Sequence, residues 1–358
     1  MPDRILITGG AGFVGSTIAF ELKRVFPRAE ITALDNLRRR GSDLNVPRLQ
    51  AAGIRFVHGD VRHAADLEAL PCDLLIECSA EPSAQAGYGG APDYLVETNL
   101  FGCYNCLNLA RRSRADFLFL STSRVYPTAT LNSLAYRETG SRFEWLDQQP
   151  VPGASRHGIA EELSTHGARS LYGMTKLAAE LMIEEFGDAF GLRYAINRCG
   201  LIAGPWQMGK VDQGVVTLWL AAHFFERPLR YIGFGGEGKQ VRDILHVGDL
   251  AELVAAQAGC MQRFDRQTLN VGGGLDFSLS LQEMTAACEQ LTGKRIEIGS
   301  EPAERPADLR IFVTDTRKIA QHCQWKPSRG PQVVLRDIYE WVSGHRELVG
   351  PALFAPAA

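Results

Sequence analysis

The chain has 358 residues, 45% hydrophobic and 22% charged, with a net charge of −3. That balance is ordinary for a soluble globular protein and lacks the basic footprint of a nucleic-acid binder. No apolar run reaches membrane-spanning length, and the N-terminus enters a strand without the basic and apolar segments of a signal peptide, so a cytoplasmic location is expected.

Apolar runs at Arg4–Thr8, Ala29–Leu34, Ile54–Val57, Leu74–Cys78, Phe117–Ser121 and Arg193–Arg198 predict strands. Val14–Val25, Asn99–Arg112 and Tyr172–Phe190 between them read as amphipathic helices. Strands alternating with helices predict an α/β fold with a doubly wound parallel sheet. After about Gly204 the pattern loosens, and Gly, Pro and aromatics gather through Phe234–Gly238. That change predicts a smaller, mixed α/β region, with a frayed tail at Pro351–Ala358. Cys103 and Cys106 form a C-x-x-C within a predicted helix, but no second ligand pair accompanies them. The expectation is buried thiols and no metal site.

Gly10, Gly12 and Gly15 follow the first strand and open the first helix, the context in which a G-x-G-x-x-G binds a dinucleotide. Such glycines permit a tight turn and close approach to the pyrophosphate, which faces the helix N-terminus. Asp35 ends the second strand, twenty residues beyond Gly15. A carboxylate there accepts from the adenosine ribose and repels a 2′-phosphate, which favours NAD. Arg38, Arg39 and Arg40 would argue for NADP, but they lie beyond the ribose position. Gly59-Asp60-Val61 follows the third strand, where an adenine edge would lie; Asp60 alone also suits a turn. These features make the sheet a Rossmann sheet.

The strand Phe117–Ser121 runs into Thr122-Ser123-Arg124, and strand C-termini are where ligands bind in such sheets. Thr122 and Ser123 are both candidates to hydrogen-bond a reacting oxygen. Tyr172 and Lys176 are four residues apart, so a helix places them on one face. A nearby ammonium favours the phenolate, which can then take a proton from a sugar hydroxyl. Arg242 and Arg305 suit a diphosphate through bidentate contacts. The alternative for each is an ion pair, with Asp243 or Asp308.

These motifs resemble the extended short-chain dehydrogenase/reductase family of nucleotide-sugar enzymes, over essentially the whole chain. The matching stretches are Thr8–Gly15, Asp35-Asn36-Leu37, Gly59-Asp60-Val61, Tyr172-x-x-x-Lys176, Arg242-Asp243-x-x-His246 and Trp325-x-Pro327. The resemblance implies a catalytic triad of Thr122, Tyr172 and Lys176, with Lys176 also on the nicotinamide ribose. It implies NAD contacts at Gly9, Gly12, Phe13, Val14, Gly15, Asp35, Asn36, Asp60, Val61, Ala80 and Asn99, besides Tyr172 and Lys176. Substrate contacts are expected at Ser123, Arg124, Gln213, Arg242 and Arg305. Residues 1–194 with about 239–271 are expected to form the NAD-binding domain, and about 195–238 with 272–358 the nucleotide-sugar domain. A homo-oligomer, dimer or tetramer, is expected, with no nucleic-acid or membrane partner.

Within the family the chain is similar to the CDP-paratose 2-epimerases, through Asp212-Gln213-Gly214, Gly238–His246, Arg310–Val313, Thr122 and the long connection from Tyr126 to Tyr172. That connection carries Glu161 and Arg169, which are expected to help build the sugar pocket. Three stretches depart from the family. Glu77-Cys78-Ser79-Ala80-Glu81 stands where His-Leu-Ala-Ala or -Gly is common, and Glu81 brings an acid near the cofactor. Arg198-Cys199-Gly200-Leu201 lacks the asparagine common in galactose 4-epimerases, and Tyr126-Pro127 replaces Tyr-Gly. The resemblance implies redox-neutral inversion at C2 of a CDP-hexose. The alternatives are a UDP-sugar 4-epimerase, a 4,6-dehydratase and a non-catalytic NAD-binding protein. A dehydratase usually carries Asp-Glu where Ser123-Arg124 stand, and a non-catalytic protein need not keep Tyr172 and Lys176.

Overall fold

The computed structural model describes residues 1–208 and 213–354, so Asp212 and the last four residues of the expected frayed tail lie outside it. Two compact units divide the chain. The first comprises Met1–Val125, Leu171–Arg198 and Val247–Leu269. The second comprises Tyr126–Ser170, Cys199–His246 and Asn270–Ala358.

The first unit is built on strands β1 (Arg4–Thr8), β2 (Glu30–Asp35), β3 (Arg55–His58), β4 (Leu74–Glu77) and β5 (Asp116–Thr122), with β6 (Tyr194–Cys199) and β7 (Gln267–Val271), whose last residues are counted in the second. They form one sheet in the order β3-β2-β1-β4-β5-β6-β7. The pairs β1–β2, β2–β3, β1–β4 and β4–β5 are parallel. Every residue of β4 is buried, as expected for a strand covered on both faces. Helices α1 (Phe13–Val25), α2 (Gly102–Ser113), α3 (Leu171–Phe190) and α4 (Val247–Gly259) cover the sheet, and α1 packs on α4. The chain reverses direction across the sheet at β1 and β4, the switch point where the strand C-termini of such folds bind ligands. Cys103 and Cys106 are fully buried core residues of α2.

In the second unit, Val241–His246 pairs in parallel with Leu201–Ala203 and Ile311–Phe312, and antiparallel with Ser278–Ser280. The apolar helix Val215–Phe224 is buried on all sides, packed by Leu281–Thr292 and Pro331–Gly344. Ser280 and Glu283 form a reciprocal capping box that starts the Leu281–Thr292 helix.

These units divide the chain differently from the expectation. The connection 126–170 belongs to the second, because Phe143 donates to the Lys239 carbonyl and Ile159 to that of Val313. The crossings fall at strand ends, near residues 199, 247 and 270. The tail also differs, since Arg346–Phe354 is helical through Pro351. Phe354 meets the Phe225 ring edge-on at 5.8 Å, and Gly350 packs against the same ring, which holds the helix down.

Candidate active site

The loop after β1 is shaped by two glycines. Gly9 has a φ of +63°, and a Cβ there would lie 2.9 Å from the Cys78 and Ser79 backbone. Gly15 lets the first turn of α1 rest on the Gly9 carbonyl, with a would-be Cβ 2.9 Å from Gly10 Cα. Gly12 caps α1 with no side chain, and the first turn holds no acidic residue. The N–H groups of Phe13, Val14 and Gly15 therefore meet no carboxylate of their own turn, as an anion site requires.

Asp35 ends β2 and is buried; it accepts from Ala11 N–H at 3.1 Å and Leu37 N–H at 2.8 Å. Burial pushes its carboxyl above the usual range, countered in part by these donors. Asn36 donates to Asp60 at 2.9 Å, tying the ends of β2 and β3. Burial alone would raise Asp60, but hydrogen bonds from Arg62 and Asn36 carry it down to about 2. Arg38 lies over the Tyr94 ring, 3.7 Å from its centroid. The Val61 side chain is core, packed where a Cβ on Gly102 would fall 2.6 Å from it, and its carbonyl accepts from Asn105 at 2.8 Å. Asn99 accepts from the Glu81 N–H at 2.8 Å and donates to the Glu81 carbonyl and to Thr175. It thus clamps the Ala80–Glu81 loop to α3. This glycine cradle and ribose-side carboxylate fit a dinucleotide.

Thr122 ends β5, buried, and its hydroxyl oxygen accepts from Arg124 N–H at 3.2 Å, fixing the turn Ser123–Val125. Helix α3 packs on β5 and on that turn. Tyr172, Lys176 and Glu180 occupy successive turns of α3, all buried. Glu180 accepts from the Ser121 hydroxyl, and Arg198 of β6 donates to both its oxygens, the shortest contact being 2.7 Å. This buried knot sets the rotation of α3, so Tyr172 and Lys176 are presented from one face. Lys176 Nζ lies 3.7 Å from Glu77 Oε2, with both side chains 2% exposed. Glu81 stood out in this segment from the sequence alone; Glu77 and the Glu180–Arg198 pair did not. A carboxylate closing the apolar run Leu74-Leu75-Ile76-Glu77 and the 172–176–180 spacing were the available signals.

In the second unit Arg242 and Arg305 converge on Asp308. Arg242 lies 3.3 Å and Arg305 2.9 Å from its carboxylate, and Arg242 also donates to the Leu309 carbonyl at 2.6 Å. Two guanidiniums on one buried carboxylate leave the cluster net positive. Gln213 has its Oε1 buried, and among the described residues that atom meets no donor. Glu161 accepts from the Asn270 N–H at 2.6 Å, and Arg169 donates to the Thr165 and Gly167 carbonyls. Both side chains thus brace loops of this unit. Among the described residues no cluster of His, Cys, Asp or Glu could hold a metal ion, and no helix is long and apolar enough to cross a membrane.

Residues 5–272 match the NAD dependent epimerase/dehydratase family. The chain belongs to that family. Within the epimerase/dehydratase family it is 29% identical over 353 residues to the CDP-paratose 2-epimerase of Salmonella typhi, covering 95% of this chain and 99% of that protein. It is 30% identical over 250 residues to a dTDP-glucose 4,6-dehydratase of Mycolicibacterium smegmatis, covering 69% of this chain and 66% of that one. The solved UDP-glucose 4-epimerase of Thermus thermophilus, in complex with NAD, superposes with a TM-score of 0.73 at 26% identity, covering 96% and 99% of the two chains. Family membership makes this chain an NAD-dependent enzyme of the epimerase/dehydratase type, built on a Rossmann sheet.

Proposed function

We propose that the protein is an epimerase of a nucleotide-diphosphate sugar, inverting C2 of a CDP-hexose without net redox change. The observation that carries this reading is the buried Tyr172–Lys176 pair on α3, packed against the strand end that presents Thr122. NAD, held by Gly9–Gly15, Asp35 and the Asn99-clamped loop, supplies a hydride acceptor that ends the cycle unchanged. Tyr172 takes the proton from the sugar hydroxyl and returns it after inversion. Thr122 holds the oxygen whose proton is taken. Lys176 keeps its positive charge beside the phenol, which favours the phenolate. Arg242 and Arg305 hold the diphosphate, so the nucleotide stays anchored while the sugar turns.

The acid pair that elimination of water requires is replaced beside Thr122 by Ser123 and Arg124, which favours epimerase over dehydratase. Similarity to the 2-epimerase across nearly the whole chain supports C2 and CDP. The second reading, a 4-epimerase of a UDP-sugar, draws on the match to the Thermus enzyme. An aromatic strip on α2 and α3, with Tyr104 edge-on to Phe186 and Phe186 to Phe190, and Phe101 56% exposed, supports a homo-oligomer.

The test is incubation with CDP-, UDP-, GDP- and dTDP-hexoses in deuterated water, read by NMR. With a CDP-hexose deuterated at C2, the product is inverted at C2 and keeps its label. Inversion at C4 moves the protein to the second reading. A 4-keto-6-deoxy product sinks both.

A further inference from the structure

Glu77 is the last residue of β4, in register with Thr8 of β1 and Phe119 of β5. It is 1% exposed, and among the described residues its Oε2 has no hydrogen-bond partner. The 3.7 Å to Lys176 Nζ is an ion-pair separation, too long for a hydrogen bond. The same ammonium lies over the Phe119 ring, 4.0 Å from its centroid. Lys176 is thus held between a carboxylate and an aromatic face, one helical turn from the Tyr172 phenol.

The other groups around the pair carry little competing charge. Helix α2 brings the Cys103 and Cys106 thiols, which burial keeps neutral. Strands β1 and β5 bring the Thr8 hydroxyl and the Phe119 ring. The next turn of α3 brings Glu180, already paired with Arg198. Burial pushes Glu77 up to about 7, and the Lys176 charge offsets part of that rise.

We propose that Glu77 is a positioning residue that holds the Lys176 ammonium in place and sets the pH at which the Tyr172–Lys176 pair gives up its proton. The inference rests on Tyr172 being the base of the reaction proposed above. With Glu77 ionised, proton loss from the pair leaves a net negative cluster in a buried site. Without that charge, the same loss leaves a neutral one. Removing the carboxylate therefore makes proton loss easier, whichever of the two coupled groups releases it. The phenol and ammonium share one field, so Glu77 acts on the base through Lys176 and touches no reacting atom.

The experiment titrates tyrosinate absorbance in the NAD-loaded protein, taking the difference between Tyr172 and Tyr172→Phe backgrounds, with and without Glu77→Gln. The absorbance titration needs no sugar, so its result stands apart from the choice of substrate. At about 9 Å, the 3.7 Å contact plus one helical turn, and an effective dielectric of about 20, a unit charge moves a neighbour's titration by on the order of one pH unit. Glu77→Gln is expected to shift the Tyr172 titration, and the acid limb of the kcat/KM profile, to lower pH by about that much. Glu77→Asp, which keeps the charge, returns both most of the way. Coincident titrations, or a shift to higher pH, overturn the proposal, as does a kcat that falls uniformly with the profile unmoved. Should Glu77→Gln not fold, Lys176→Met decides. Loss of the ammonium then moves the protonation of Glu77, followed by its carboxyl stretch in isotope-edited infrared spectra, to higher pH. An unmoved titration of that stretch overturns the ion pair and the proposal with it.

Discussion

Replacing Gly15 with Ala probes the turn that forms the dinucleotide cradle. Gly15 does not sit at positive φ, so its backbone angles suit alanine, and helix propensity alone would favour the change by about 1 kcal/mol. Contact reverses the sign. The added Cβ would fall well inside contact distance of the Gly9 carbonyl oxygen and 2.9 Å from Gly10 Cα. Both neighbours are backbone, so helix and turn must separate. Overpacking costs about 1–3 kcal/mol, and rigid surroundings place this site near the upper end, leaving a net loss of about 2 kcal/mol. Each phosphate hydrogen bond lost as the turn moves costs about 1.5–3 kcal/mol, or a roughly tenfold to hundredfold weaker affinity. Gly12→Ala is the control. Its Cβ would meet only the Gly9 oxygen, at 3.1 Å, so the fold tolerates it while the methyl intrudes on the pyrophosphate's approach. Thermal denaturation and calorimetric NAD titration separate the two. Gly15→Ala is expected to lower melting temperature and affinity together, and Gly12→Ala affinity alone. A Gly15→Ala protein that melts and binds NAD like the parent refutes the packing argument.

Asp35→Ala is expected to narrow the preference for NAD over NADP, measured as the ratio of dissociation constants; a tighter parent affinity for NADP would reverse the assignment. Tyr172→Phe keeps the ring for packing and is expected to lower turnover by about 10²–10⁴-fold with NAD content unchanged. Arg242→Ala and Arg305→Ala each leave Asp308 one of its two arginines, and each is expected to raise KM for the nucleotide-sugar at least about tenfold with little change in NAD affinity. Glu77 titrates near 7 in the fold and near 4.3 when unfolded, so the folded protein binds the extra proton between those values. Its contribution to stability therefore declines as pH rises through that window, and Glu77→Gln should flatten the slope of unfolding free energy against pH.

Six of the seven strands were readable because most of them are buried and appear as uninterrupted apolar runs; β1 runs Arg4–Thr8 as expected and five others differ by about a residue at their ends, whereas β7 was not expected and the expected run at β3 is only partly buried. The helix expected at Asn99–Arg112 instead opens with a π turn over Glu97–Phe101, followed by α2. Periodicity does not encode that widened turn, which coincides with the Asn99 clamp onto Glu81. The partner of Arg242 follows from strand alternation. Arg242 and Asp243 are neighbours on one strand, so they face opposite ways; Asp243 turns into the core and Arg242 meets Asp308 instead. The connection 126–170 was opaque because its hairpins, Tyr136–Glu138 with Phe143–Trp145 and Ala154–Ser155 with Gly158–Ile159, are too short to leave a pattern. Glu77 was visible as a residue but not as a partner, because its meaning depends on Lys176, a hundred positions away and on another element.

The packing of α1 on α4 has a consequence for how the molecule is made. The helix that opens the dinucleotide cradle ends at Val25, and the helix that covers its flank begins at Val247. During synthesis at roughly 5–20 residues per second, the nascent chain carries that apolar flank uncovered for on the order of ten seconds or more. About half of the second unit emerges from the ribosome within the same interval. The cradle is therefore completed late in translation, and a ribosome stalled before Val247 displays a hydrophobic surface for chaperones or proteases to find.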